Sequence, residues 1–111
     1  MIYVASPYTH EDEKVQTHRA LVVLAYTVER MRQDSGTFFF SPIVYGHTIR
    51  QYDKSIAGTA DFWRTFNWKI ICACSAVEVL MLDGWAESKG ISIEVDWAKQ
   101  LKLPINYVAV S

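Results

Sequence analysis

The stretch Val77-Glu78-Val79-Leu80-Met81-Leu82-Asp83-Gly84-Trp85-Ala86-Glu87-Ser88-Lys89-Gly90, with Glu94 just beyond it, decides the reading of this chain. Val77 to Leu82 is a mainly apolar run of strand length, as a buried parallel strand requires. A loop containing glycine and serine follows, and Ser92 to Lys102 reads as a helix. Strand, loop and helix in that order make the usual anion site of an α/β protein, because backbone N–H groups at the helix start face the ligand. A carboxylate just past the loop could reach a sugar whose phosphate the loop holds. A nucleotide is therefore the first ligand to consider.

Working outward, Ile2-Tyr3-Val4-Ala5 is a second short apolar run, stopped by Ser6-Pro7. Glu11 to Arg32 reads as a long helix with an acidic start and a basic end, matching the helix dipole. Val15, His18, Leu21, Val22, Ala25 and Val28 mark its expected buried stripe. Thr37 to Phe40 is β-prone and is again stopped by Ser-Pro, at Ser41-Pro42. Between 43 and 58 we expect a short helix and then a mobile loop around 55–59. Ala60 to Ala73 reads as a helix, and Ile105 to Val108, after Pro104, as the last strand. The order β-α-β-α-β-α-β, with helix-length connections throughout, implies parallel strands joined by right-handed crossovers. The expectation is a single α/β domain over residues 1–111, a three-layer sandwich around a small parallel sheet of four to five strands. Long sheet edges and many aromatic residues predict a homodimer or higher homo-oligomer.

Composition narrows the function. The chain has 111 residues, half of them hydrophobic and 14% aromatic, with a formal net charge of −1. No basic block occurs, so attraction to a nucleic acid polymer or an anionic membrane is not expected. Cys72 and Cys74 are two apart and point to different faces of a helix, a poor disulfide geometry. Reduced thiols, the absence of a signal-type segment and the lack of any bilayer-length apolar run predict a cytoplasmic protein. No Cys, His, Asp or Glu set has metal-ligand spacing, so no metal is expected. The sequence contains neither G-x-G-x-x-G nor a Walker A motif, and no cofactor is expected.

In a parallel sheet all strand exits lie on one rim, and three exits here carry polar residues. They are Ser6-Pro7-Tyr8-Thr9-His10, Ser41-Pro42 through His47, and Asp83 through Gly90. Ser88, Lys89 and Gly90 offer a hydroxyl, backbone N–H groups and an ammonium to a phosphate. Ser88 also suits a helix N-cap, and one hydroxyl can serve both purposes. Asp83-Gly84 fits a turn, and Trp85 is expected exposed, covering the site or meeting a neighbouring subunit. The Tyr8 ring could stack on a base, or its hydroxyl could bond a nucleophile; His47 could line the pocket. Glu94 reads either as an acid complementing a helix start or as a carboxylate nucleophile that attacks an anomeric carbon.

Three motifs together carry a resemblance: Ile-Tyr-Val-Ala-Ser-Pro-Tyr at 2–8, Phe-Ser-Pro-Ile at 40–43, and Asp-Gly-Trp-x-x-Ser-x-Gly-x-x-x-Glu at 83–94. The chain resembles the nucleoside 2-deoxyribosyltransferase-like superfamily, nearest its small DUF1937-type members and the deoxynucleoside 5'-monophosphate N-glycosidases. The resemblance implies a flavodoxin-like fold, homo-oligomers with sites near subunit contacts, and cleavage of N-glycosidic bonds through a glutamate. It places the nucleophile at Glu94, the phosphate-binding residues at Ser88 and Gly90, and the aromatic residue beside the nucleophile at Tyr8. His47 is a looser match. Where the glycosidase branch often carries an aspartate, this chain has Asn67, which cannot exchange a catalytic proton as an aspartate does. Asp61 stands six residues earlier as a possible substitute.

The expected activity is hydrolysis of the N-glycosidic bond of a nucleoside or deoxynucleoside 5'-monophosphate, favoured over base transfer. Glu94, Tyr8 and Asp61 are the expected catalytic residues. Ser6, Pro7, His47, Asn67, Asp83, Gly84, Trp85, Ser88, Lys89 and Gly90 are the expected binding residues. The alternative is a module that binds or senses a nucleotide in the same pocket without turnover. A flavodoxin-like electron carrier fits poorly, since the first loop lacks the Ser/Thr/Gly-rich cradle that flavin mononucleotide needs.

Overall fold

The computed structural model describes residues 1–56 and 60–110 of the chain. Four strands, β1 (Ile2–Ala5), β2 (Phe39–Phe40), β3 (Ala76–Met81) and β4 (Ile105–Ala109), form one sheet in the order β2-β1-β3-β4. Every pairing is parallel, with Tyr3 opposite both Phe40 and Val77, and Val79 opposite Tyr107. The connecting helices are α1 (Glu13–Gln33), α2 (Pro42–Tyr52), α3 (Ala60–Cys72) and α4 (Lys89–Gln100). This is an α/β three-layer sandwich of the flavodoxin-like kind.

Strand alternation sorts the core into two halves. Tyr3, Ala5, Val77 and Val79 face α3 and α4, packing with Ile71, Ile91 and Ala98. Val4 and Leu80 face the other way, against Val23 of α1, Phe39 and the flanking Tyr26 and Val44. Local signals set the helix starts. Asp12 caps α1 by accepting from the Lys14 N–H at 2.9 Å. Ser41 caps α2 by accepting from the Val44 N–H at 3.1 Å, with Pro42 inside the first turn. Caps of this kind contribute about 1 kcal/mol each.

Several expectations need correction. The buried stripe of α1 is Ala20, Val23 and Thr27, whereas His18, Leu21 and Ala25 are exposed. The helix is rotated because Tyr26 and Arg30 turn inward to meet Glu78. The last helix starts at Lys89, not Ser92, because Ser88 caps it and accepts from the Ile91 N–H. The short helix after Ser41 is α2, ending at Tyr52, and the mobile loop expected at 55–59 falls partly on 57–59, outside the described residues. Cys72 closes α3 exposed, while Cys74 lies beyond it, buried. The edge strand β2 is two residues long, so only β4 presents a longer edge. Among the described residues, no helix is long and apolar enough to cross a membrane.

Candidate active site

The strand order reverses between β1 and β3, so the crossovers leave their carboxyl ends in opposite directions and open a crevice there. A cleft of about 780 Å³ occupies that position. Its walls come from the exit of β1 (Ser6, Pro7, Tyr8, Thr9) and from α2 (Gly46, His47, Arg50). The wall is completed by α3 (Trp63, Arg64, Asn67) and by the segment after β3 (Gly84, Glu87, Ser88, Lys89, Gly90, Glu94). The three exits picked out in the sequence thus share one space.

Glu94 lies in the second turn of α4 and is 7% exposed. Its Oε2 accepts from the hydroxyl of Tyr3, a side chain with no solvent exposure at all. Among the described residues no donor engages Oε1, which leaves that oxygen for the cleft. Burial pushes the Glu94 carboxyl up to about 7, and the Tyr3 hydrogen bond opposes that rise. Burial, together with the neighbouring carboxylate, raises Tyr3 far above the usual phenol range. Glu94 lies five positions after the start of the helix at Lys89, so the helix field gives it little help in ionising.

Tyr8 stands apart from this pair. Its hydroxyl is 2.8 Å from His47 Nδ1, its ring meets that imidazole edge-on, and the Arg50 guanidinium lies 5.7 Å from the ring centre. Burial, then the Arg50 charge, lowers His47 below its ordinary value. The tyrosine beside Glu94 is therefore Tyr3, placed there by strand register, while Tyr8, at the β1 exit, turns to His47 and Arg50 of α2. Three of the expected site residues, Asp61, Trp85 and Asp83, do not line the cleft. Asp61 has its side chain 94% exposed and pairs loosely with Arg64 at 3.9 Å. Trp85 is half-buried, packing on the Tyr107 ring and the α4 side of the core. Asp83 is exposed and acts through its backbone, its carbonyl accepting from Arg19 Nη2 at 3.0 Å.

Arg19 was not singled out in the sequence, nor were Arg50, Arg64 and Trp63. Arg19 also donates to the Thr9 carbonyl at 3.1 Å, so one α1 side chain ties the first and third exits together. Gly84 permits this. Its φ of +88° is left-handed, and a Cβ there would lie 2.9 Å from the guanidinium. Four cations, Arg19, Arg50, Arg64 and Lys89, line the cleft against the carboxylates Glu87 and Glu94. The N–H groups of Lys89 and Gly90, first and second in α4, have no carbonyl within the helix to bond. Together these features suit a small anion at the α4 end.

A family model described as Domain of unknown function (DUF1937) matches residues 1–109. The chain belongs to that family. No curated protein matches the sequence. In this DUF1937 domain the matched span takes in every element of the sheet and every wall of the cleft. Among the described residues, three polar atoms in those walls are buried without a partner: Ser6 Oγ, Trp63 Nε1 and Asn67 Oδ1.

Proposed function

We propose that this DUF1937 protein hydrolyses the N-glycosidic bond of a nucleoside 5'-monophosphate, in the manner of the nucleoside 2-deoxyribosyltransferase-like superfamily. The observation that carries the reading is Glu94, a buried carboxylate held through one oxygen by Tyr3 and open to the cleft through the other. A carboxylate fixed in this way is suited to attack C1' and form a glycosyl-enzyme that water then releases. Ser88, Lys89 and Gly90 at the start of α4 would bind the 5'-phosphate, with Arg19 nearby to add charge. Asp61 is turned to solvent, so the departing base draws no proton from it. The exposed Leu21, Leu24 and Met31 along α1 support self-association of this domain.

Incubation with a panel of nucleotides, with free base followed by chromatography, tests the reading. Glu94→Gln is expected to lower base release by about a thousandfold or more, and Asp61→Asn to leave it within about twofold. Unchanged turnover in Glu94→Gln would refute the nucleophile. Asn67, standing where the glycosidase branch often has an aspartate, favours a second reading as a nucleotide-binding module. Tight binding with the nucleotide recovered intact would select that reading.

A further inference from the structure

The α3 wall of the cleft carries chemistry that attack at C1' does not use. Trp63 and Asn67 lie four residues apart, on one side of the helix. The Trp63 indole N–H and Asn67 Oδ1 are both buried in that wall with no partner among the described residues. A buried polar group left unbonded costs stability, which a ligand supplying the missing partner recovers. A ring edge with an acceptor beside a donor satisfies both. A carbonyl next to a ring N–H has that pattern, and so has a bare ring nitrogen next to an amino group. Hydrogen bonding therefore does not choose between them.

Charge does. An amino-bearing base such as adenine or cytosine leaves readily only when an acid protonates its ring. A base whose ring nitrogens are flanked by carbonyls can leave as an anion instead. The cleft carboxylates are Glu94, which is the nucleophile, and the exposed Glu87 on the loop after β3. Asp61 points to solvent, and residues 57–59 are Ala, Gly and Thr. His47 has its Nδ1 engaged by Tyr8, and burial, then the Arg50 guanidinium, disfavours its protonation. By contrast Arg64, next to Trp63 in α3, brings a permanent positive charge to the same wall.

We propose that this site takes nucleotides carrying an oxo base, a lactam or imide ring of the uracil, thymine or hypoxanthine type, which departs as its ring-nitrogen anion. The proposal rests on the glycosidase reading and deepens it. The Trp63 N–H and the Arg64 guanidinium stabilise the charge that develops on the base carbonyls, and Asn67 accepts from the ring N–H. Glu94 Oε1 bonds to C1' as the C1'–N bond breaks, and the bonding pair stays on the base, which takes a proton from water. A second water attacks C1', restores the Glu94 carboxylate and gives up one proton. The sum is nucleotide plus water giving base and sugar phosphate.

The test compares dUMP, dTMP and dIMP with dAMP and dCMP on the unaltered protein, and adds 5-fluoro-dUMP, whose base is a more stable anion. The oxo bases are expected to leave with kcat/KM at least about tenfold higher, and fluorine to speed release by about tenfold. Trp63→Phe is expected to cut kcat for dUMP by about tenfold with little change in KM. If amino bases leave as fast through Glu94, or fluorine has no effect, the inference falls and the glycosidase reading stands. If no nucleotide loses its base, both fall.

Discussion

Glu78 and Glu94 are two buried glutamates that each accept a hydrogen bond from a tyrosine, yet the fold treats them oppositely. Glu78, on β3, takes the Tyr26 hydroxyl at 2.7 Å and a two-point contact from Arg30, at 3.2 and 2.8 Å. Glu94, on the other side of the sheet, has Tyr3 and, among the described residues, no cation bonded to it. The Glu78 charge is neutralised where it sits, which suits a group that holds α1 against the sheet. The Glu94 carboxylate has one oxygen fixed, a raised proton affinity and a cleft in front of it. A buried acid left without its counter-ion costs stability, and such groups concentrate at functional sites.

Removing the cation from the first pair should have the largest effect. Arg30→Met leaves Glu78 buried with a hydroxyl as its remaining partner, and a loss of about 3 kcal/mol is expected in urea denaturation. A loss under about 1 kcal/mol would mean that Glu78 does not depend on its ion pair.

The reverse sign is expected on the other side of the sheet. Glu94 is raised from 4.5 to about 7, so between those values the folded state binds more protons than the unfolded one. Wild-type stability then falls as pH rises through that window and is level above it. Gln does not titrate. Glu94→Gln should therefore match the wild type's pH trend poorly, gaining relative stability from pH 5 to pH 8, by about 2 kcal/mol at the upper end. A difference that does not change with pH would show that the Glu94 charge carries no folding cost.

The smallest effect is expected from Tyr3→Phe, which removes a hydrogen bond favouring ionised Glu94. Stability should fall by about 1 kcal/mol. The rising limb of base release, expected near pH 7 in the wild type, should move to higher pH, because the unbonded carboxyl ionises less readily. A limb that stays in place would remove Tyr3 from the tuning of Glu94.

Much of this was legible in the chain. The Ser-Pro stops after β1 and β2 and the Ser88 cap all depend on neighbours within four residues. Such local signals read well. The face of α1 did not. Leu21, Leu24 and Met31 give it a second apolar stripe beside Ala20 and Val23, and periodicity cannot say which one meets the sheet. Arg19 escaped notice because its partners are backbone carbonyls, one of them 64 residues away, which leave no trace in side-chain spacing. Asp61 was the plausible acid of α3 by composition, but helix phase turns it outward and brings Arg64 and Asn67 to the cleft.

Parallel sense and the gathering of three polar loops on one rim follow from the chain alone, because helix-length links between short apolar runs permit little else. The sheet order β2-β1-β3-β4, and with it the crevice between β1 and β3, was settled by the fold. Tertiary structure decided which tyrosine meets Glu94. The two are 91 positions apart, and strand register, not proximity in sequence, puts Tyr3 under α4 and Tyr8 beside His47. It also decided that one buried glutamate has an arginine and the other a cleft. Burial and charge at a point are sums over neighbours that the chain brings together only when it folds.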